Sequence, residues 1–250
     1  MGRNNLTNRI GETNVNKQGD TMKIIEYNSA RNIKVLFSTG EIVTSMYGEF
    51  KTGSIVSHFY PSVCGVGILG KHEEKIDRRT YDYWCSMIKR CYDDNFHKKS
   101  PTYKDCSVCD EWIYFDNFKK WFDENYYEVE DEVMCLDKDI LIKGNKVYSP
   151  DTCIFVPRHI NSLFVKNDTS RNGLPIGVQY NATKTRYVAL AKDGGRNMKR
   201  LGTYDTPEEA FYSYKEFKEN RIREIANKYR SKIPEKLYFG MINYSFEITD

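Results

Sequence analysis

The 250-residue chain is 40% hydrophobic and 29% charged, which is a globular balance and excludes disorder throughout; its length suits two or three compact units. No run approaches the ~18 apolar residues of a membrane helix, and the opening MGRNNLTNRIGETNVNKQGD lacks a signal peptide's apolar stretch, so a soluble cytoplasmic protein with no membrane partner is expected. The net charge of +3 averages over unequal parts, with residues 166–232 alone holding 15 basic and 8 acidic side chains, the footprint of a polyanion-binding segment.

Residues 1–21 are polar and rich in Asn and Gly, which predicts a flexible arm with too little apolar surface to order itself. From Met22 the runs MKIIEY, NIKVLF and EIVTSMY, separated by turn residues, predict a small β module over 22–70. Gly65, Gly67 and Gly70 precede no helix signal and read as turn glycines, not as a nucleotide-binding loop. That module carries no chemical signal and is assigned, if anything, a protein partner.

Thr80 to Tyr92 places Tyr81, Trp84, Cys85, Ile88, Cys91 and Tyr92 at helical spacing, with Lys89 and Arg90 in the last turn. After HKKSPTYKD, a second aromatic stripe of Trp112, Phe115, Phe118, Trp121 and Phe122 reads as core and not as a stacking platform for bases. Seven cysteines in a chain with no export signal read as buried thiols in a reducing compartment. Cys106 and Cys109 have the spacing of half a zinc site, with Cys135 and Cys153 as single candidates to complete it, but a second CxxC is absent and structural zinc is not expected.

In the last third, PIGVQY, RYVALA and KRLGTY predict three consecutive strands. Thr206-Pro207-Glu208-Glu209 then forms a capping box that opens a helix, whose face of Ala210, Phe211, Tyr214 and Phe217 can cover one side of the sheet. The other side is left to Arg, Lys and Tyr. Residues 233–250 read as a C-terminal tail.

Residues 171–220 carry a resemblance. Pro175-Ile176-Gly177-Val178, Arg186-Tyr187-Val188-Ala189, Leu201-Gly202-Thr203-Tyr204 and Glu208-Glu209-Ala210 with Tyr214 resemble the plant ethylene-response-factor (APETALA) DNA-binding domain, also found in phage proteins. The resemblance implies that a three-stranded sheet enters the major groove of double-stranded DNA with one helix behind it. By position, Arg186, Lys192, Arg196, Lys199 and Arg200 are assigned to phosphates and base edges, and Lys184 to phosphate.

Upstream, Tyr83-Trp84-x-x-Met87-x-x-Arg90-Cys91, Tyr103-x-x-Cys106-x-Val108-Cys109-x-Glu111-Trp112, Leu136-Asp137-Lys138-Asp139, Tyr148-Ser149-Pro150 and Asn161 are similar to phage His-Asn-His (HNH) homing endonucleases. That resemblance implies a hairpin and helix gripping one divalent ion, Mg²⁺ or Mn²⁺, to cleave phosphodiesters, with no small-molecule cofactor. Asp137 matches the metal carboxylate and Asn161 the helix ligand. Lys138 stands where the general-base His is expected, and Thr152 where the loop Asn is expected. Asp139 and His159 complete the candidate catalytic set.

Together these readings predict an α+β chain. A flexible arm (1–21) and a β module (22–70) lead to a ββα-metal (HNH-like) domain with flanking helices (71–165), a three-stranded sheet with its helix (166–232) and a tail (233–250). Two functions follow: a metal-dependent DNA endonuclease, or a DNA-binding regulator or defence inhibitor that has lost the base. If phage-encoded, either would act in the host cytoplasm.

Overall fold

The computed structural model describes residues 9–72, 75–165, 171, 173–183, 185–192 and 198–250. It is a mixed α+β protein with several small sheets, and it divides into two compact units, Met1–Glu124 and Asn125–Asp250. No helix among the described residues is long and apolar enough to cross a membrane.

The first unit opens with an antiparallel sheet in the order β1-β2-β3-β4, formed by Thr13–Val15, Thr21–Ser29, Asn32–Phe37 and Ile42–Ser45. Alternation along β2 and β3 buries Met22, Ile24, Ile33, Val35 and Phe37 against Phe50 of α1 (Tyr47–Thr52) and Ile55. The expected flexible arm is corrected here, because part of it is built into this sheet. Hydrogen bonds supply the order that apolar burial could not: Asn16, 5% exposed, bonds the carbonyl of Ile55 and accepts from the N–H groups of Gln18 and Asp20. Buried Asp20 in turn accepts from the Ser38 hydroxyl.

The rest of the unit is helical and aromatic: α2 (Arg78–Tyr92), α3 (Asp94–Lys99), the short strand β5 (Ser107–Val108) and α4 (Phe115–Asn125). Asp77 caps α2 by accepting from the Thr80 N–H. Trp84 donates its indole N–H to the Trp112 carbonyl at 2.8 Å, and its ring lies 5.5 Å from that of Phe115. Trp112, Phe115 and Phe118 are buried, so the second aromatic stripe is core. Gly67 is needed where the chain crosses Trp84, since a Cβ there would lie 2.9 Å from the indole.

The second unit begins with β6 (Met134–Asp137), β7 (Val147–Tyr148), β8 (Ile154–Pro157) and α5 (Arg158–Asn161). β6 and β8 pair antiparallel from Met134↔Pro157 to Asp137↔Ile154. Then come β9 (Val178–Asn181), β10 (Arg186–Lys192) and β11 (Met198–Tyr204), an antiparallel sheet in the order β11-β10-β9, followed by α6 (Pro207–Tyr229) and α7 (Glu235–Ile242). The capping box on Thr206 and Glu209 forms as expected.

One core joins these elements, β7 excepted. Ile154, Val156, Ile160 and Phe164 from the hairpin region pack with Val178, Ala189 and Ala191 of the sheet, Phe211 and Tyr214 of α6, and Leu237 and Met241 of α7. The expected divisions therefore differ from the packing. The boundary at 165/166 crosses a continuous core, and the supposed tail is helix α7 followed by buried Tyr244 and Phe246. The region 71–165 is itself shared between the two units. The apolar run LYFGMI carried the signal for α7.

Candidate nucleic-acid interface and hairpin site

In β10, Ala189 and Ala191 are buried in the core beneath α6, and Val178, the partner of Ala189, is buried with them. Side chains alternate across a strand, so the register assigns Gln179, Asn181, Arg186, Lys192, Arg200 and Thr203 to the opposite face. The shift between Ala189 and Leu190 preserves this arrangement by bringing Arg200 opposite Leu190. Gly177 closes the end of the sheet at φ +77°, where a Cβ would fall 2.1 Å from the Tyr214 ring.

Arg186, Lys192 and Arg200 are exposed. Arg186 reaches Asp205 at 2.6 Å, and Arg200 donates to the Thr203 hydroxyl. Exposed pairs of this kind contribute only ~0–1 kcal/mol, so an incoming phosphate can displace them. Lys199 belongs to the other side: it pairs with Ala191, and its Nζ lies 4.9 Å from the Phe217 ring on α6. Lys184 and Arg196 lie outside the described residues. Gln179, Asn181 and Thr203 escaped the sequence reading, although counting by twos from the apolar positions of RYVALA would have found the face they share with Arg186.

The hairpin residues have a different setting. The half-buried Asp137 accepts from the N–H groups of Asp139 and Ile140 at 2.9 and 2.8 Å through one carboxylate oxygen, closing the turn after β6. Burial, and then the neighbouring Asp139, hold its carboxyl at about 6, well above the usual range. Lys138, 8% exposed, donates to the Asn145 carbonyl at 3.1 Å and lies 3.4 Å from Asp139. Asn145 returns a bond to the Lys138 carbonyl, and Thr152 donates to the Val147 carbonyl and bonds Ser149. Lys138, Asn145 and Thr152 thus tie the loop between β6 and β8 to itself.

His159 is directed towards α6. Its Nδ1 lies 3.0 Å from Glu132, at an angle that leaves this buried nitrogen without a hydrogen bond. Tyr229 donates to the same carboxylate oxygen at 3.0 Å, and its ring lies 4.9 Å from the imidazole. Glu132 and Tyr229 were not legible as partners of His159, being separated from it by long stretches of chain. Asn161 ends the one-turn helix α5, its carbonyl accepting from Phe164. Asp137 pairs with Ile154, three residues before the Pro157 that leads into that helix.

Among the described residues, no three His, Cys, Asp or Glu side chains are grouped so as to hold a metal. The carboxylates at 137 and 139 still suit a hard divalent cation chemically, because carboxylate oxygens are its preferred ligands and a cation would offset the burial and the Asp139 charge that raise Asp137. The thiols suit zinc less well. Cys106 and Cys153 are buried, and burial pushes the Cys109 thiol up, which disfavours the thiolate that zinc requires. No family model, curated protein or solved structure matches the chain.

Proposed function

We propose that this chain is a double-stranded DNA-binding protein of the phage HNH-like type, reading DNA with the face of β9–β11 turned away from α6. The observation that carries the reading is that face itself. Arg186, Lys192 and Arg200 are exposed on it beside the amides Gln179 and Asn181 and the hydroxyl Thr203, a set able to meet phosphates and base edges in the major groove. The excess of basic side chains over residues 166–232 adds the long-range attraction.

The loop chemistry favours the regulatory or inhibitory form of this protein. A general base must reach an attacking water, whereas the Lys138 ammonium is buried and committed to the Asn145 carbonyl. The second reading, a metal-dependent endonuclease, draws on the two carboxylates at 137 and 139, which a divalent ion would join, Asp137 being raised by burial first and by Asp139 second. That ion would activate water and stabilise the leaving oxygen. Asp137 and Asp139 would hold it, and the sheet would position the duplex.

Binding of a duplex at two salt concentrations, with a supercoiled-plasmid assay in Mg²⁺, Mn²⁺ and EDTA, tests both. Salt-sensitive binding without cutting is the expected result. Metal-dependent nicks that vanish in Asp137→Ala would establish the endonuclease instead, and the absence of binding would overturn the DNA reading.

A further inference from the structure

Asp20, in the turn between β1 and β2, is fully buried. Its Oδ1 accepts from the Ser38 hydroxyl, while its Oδ2 is buried without a hydrogen-bond partner among the described residues. Ser57, 1% exposed, likewise keeps its Oγ buried and unbonded among them. One circuit of contacts runs through both residues. The Asn16 side-chain oxygen accepts from the N–H groups of Gln18 and Asp20 at 3.0 and 2.8 Å. The Gln18 side chain accepts from the Ser57 N–H at 2.7 Å and donates to the Ser57 carbonyl at 3.1 Å. The next residue, His58, gives its N–H and its ring Nδ1 to the two carboxylate oxygens of Glu41 at 2.8 and 2.6 Å. The Glu41 carbonyl accepts from Phe37, the neighbour of the Ser38 that bonds Asp20.

A buried carboxylate is costly unless a counter-charge reaches it, because burial removes the stabilisation that water gives. Both Glu41 oxygens are taken by His58, so Asp20 is the carboxylate of the circuit that retains an open oxygen. Carboxylate and hydroxyl oxygens are hard ligands, and the carbonyls of Ile55 and Ser57, each accepting from one side-chain amide, keep a second lone pair. Water would meet the hydrogen bonds and leave the charge unbalanced, whereas a small cation binds the oxygens and balances the charge. One carboxylate balances one positive charge, and the burial of both residues favours a small ion.

We propose that Asp20 and Ser57 bind one buried monovalent cation of sodium size, which fastens the turn between β1 and β2 to the segment that follows α1. The ion adds to the hydrogen bonds that order this polar stretch, where apolar surface is scarce. The site is independent of the DNA reading.

The test uses the full chain with Asp20→Asn and Ser57→Ala. All three tryptophans, at 84, 112 and 121, belong to the first unit, so their fluorescence follows its thermal unfolding. Sodium chloride replaces tetramethylammonium chloride at constant ionic strength. The wild-type Tm is expected to rise by about 3–6 °C from about 5 to about 500 mM Na⁺, and by less in K⁺. The sodium NMR signal should broaden in the presence of the wild type. Asp20→Asn should abolish both responses. Ser57→Ala keeps the carboxylate and removes one ligand, so it should need about tenfold more Na⁺ for the same rise, and it decides the matter if Asp20→Asn fails to fold.

A wild-type Tm that is the same in sodium as in tetramethylammonium overturns the site and leaves the two oxygens to buried water. A sodium response that the variants keep in full also overturns it. Stabilisation by Ca²⁺ with none by Na⁺ overturns the monovalent ion.

Discussion

Lys138 in the loop after β6 and Arg186 on β10 each lie beside an aspartate, 3.4 Å from Asp139 and 2.6 Å from Asp205 respectively. Their environments are opposite. Only 10% of the Lys138 side chain is exposed, and it also donates to the Asn145 carbonyl; 44% of the Arg186 side chain is exposed, and its aspartate is more exposed still. In the loop, breaking the interaction takes a bond from a buried ammonium and from a part-buried carbonyl, which costs more than an exposed pair contributes. On the sheet, water or a phosphate replaces Asp205 at little cost. Being near an acid therefore does not decide what a cation does; burial and backbone commitments decide it.

The largest expected effect separates the two regions outright. Replacing Arg186, Lys192 and Arg200 together by Gln should weaken duplex binding by roughly a hundredfold or more at ~0.1 M salt and reduce the salt slope by about three. Because all three are exposed, Tm should hardly move. A triple variant that binds as tightly as the wild type, measured by fluorescence anisotropy, would remove the interface from this face.

On the hairpin side the effect is one of pH. The Asp137 carboxyl is at about 6 in the folded chain against an ordinary 3.8, so the folded state holds its proton more tightly than the unfolded state does. For a raised acid the sign is fixed: its contribution to stability is greatest below pH ~4 and is lost as pH rises through about 6, by up to ~3 kcal/mol. Asp137→Asn keeps an oxygen for the Asp139 and Ile140 N–H groups and should flatten this slope in denaturant unfolding between pH 4 and 7. If Asp137 and Asp139 bind a divalent cation, Mg²⁺ should raise the Tm of the wild type at pH 7 and not that of the variant. No rise would leave the endonuclease reading without its ligand.

Lys138→Met should cost about 1–3 kcal/mol by orphaning the Asn145 carbonyl, with duplex affinity unchanged. Reduced affinity at full stability would reverse the comparison and return Lys138 to the interface.

Local pattern made much of the fold legible. The strands around MKIIEY and NIKVLF, helix α2 and the Thr206 cap rest on spacing and on residues that meet within a few positions. β1 was illegible because Asn16 and Asp20 order that segment by bonding Ile55 and Ser38, and polarity alone reads as disorder. Helix α7 was missed through its place at the chain's end, and the shared core because contact between Phe164 and Tyr244, at a ring distance of 4.7 Å, depends on the tertiary fold. At the sheet, residue type identified the cations but not their sides, which the bulge and register determine: Lys199 differs from Arg200 by one position and lies on the opposite face. The interior setting of Lys138 was equally hidden, since Asn145 reaches it only through the loop's own geometry.

The smallest predicted change probes whether the sheet face can be altered from beneath. Thr206 accepts from the Glu209 N–H at 3.2 Å, and Glu209 in return accepts from the N–H groups of Thr206 and of Asp205, the residue that pairs with Arg186. Thr206→Ala removes one half of this exchange at an exposed helix start, which should cost about 1 kcal/mol and lower Tm by about 2–4 °C. The other half remains, so Asp205 keeps its bond to Glu209 and Arg186 stays where it is. Duplex affinity should then match the wild type within about twofold. Were affinity to fall several-fold while stability fell only this far, the orientation of Asp205 would be controlling Arg186, and the pair on the sheet would have to be treated, like that of Lys138, as part of the built structure and not as an exchangeable contact.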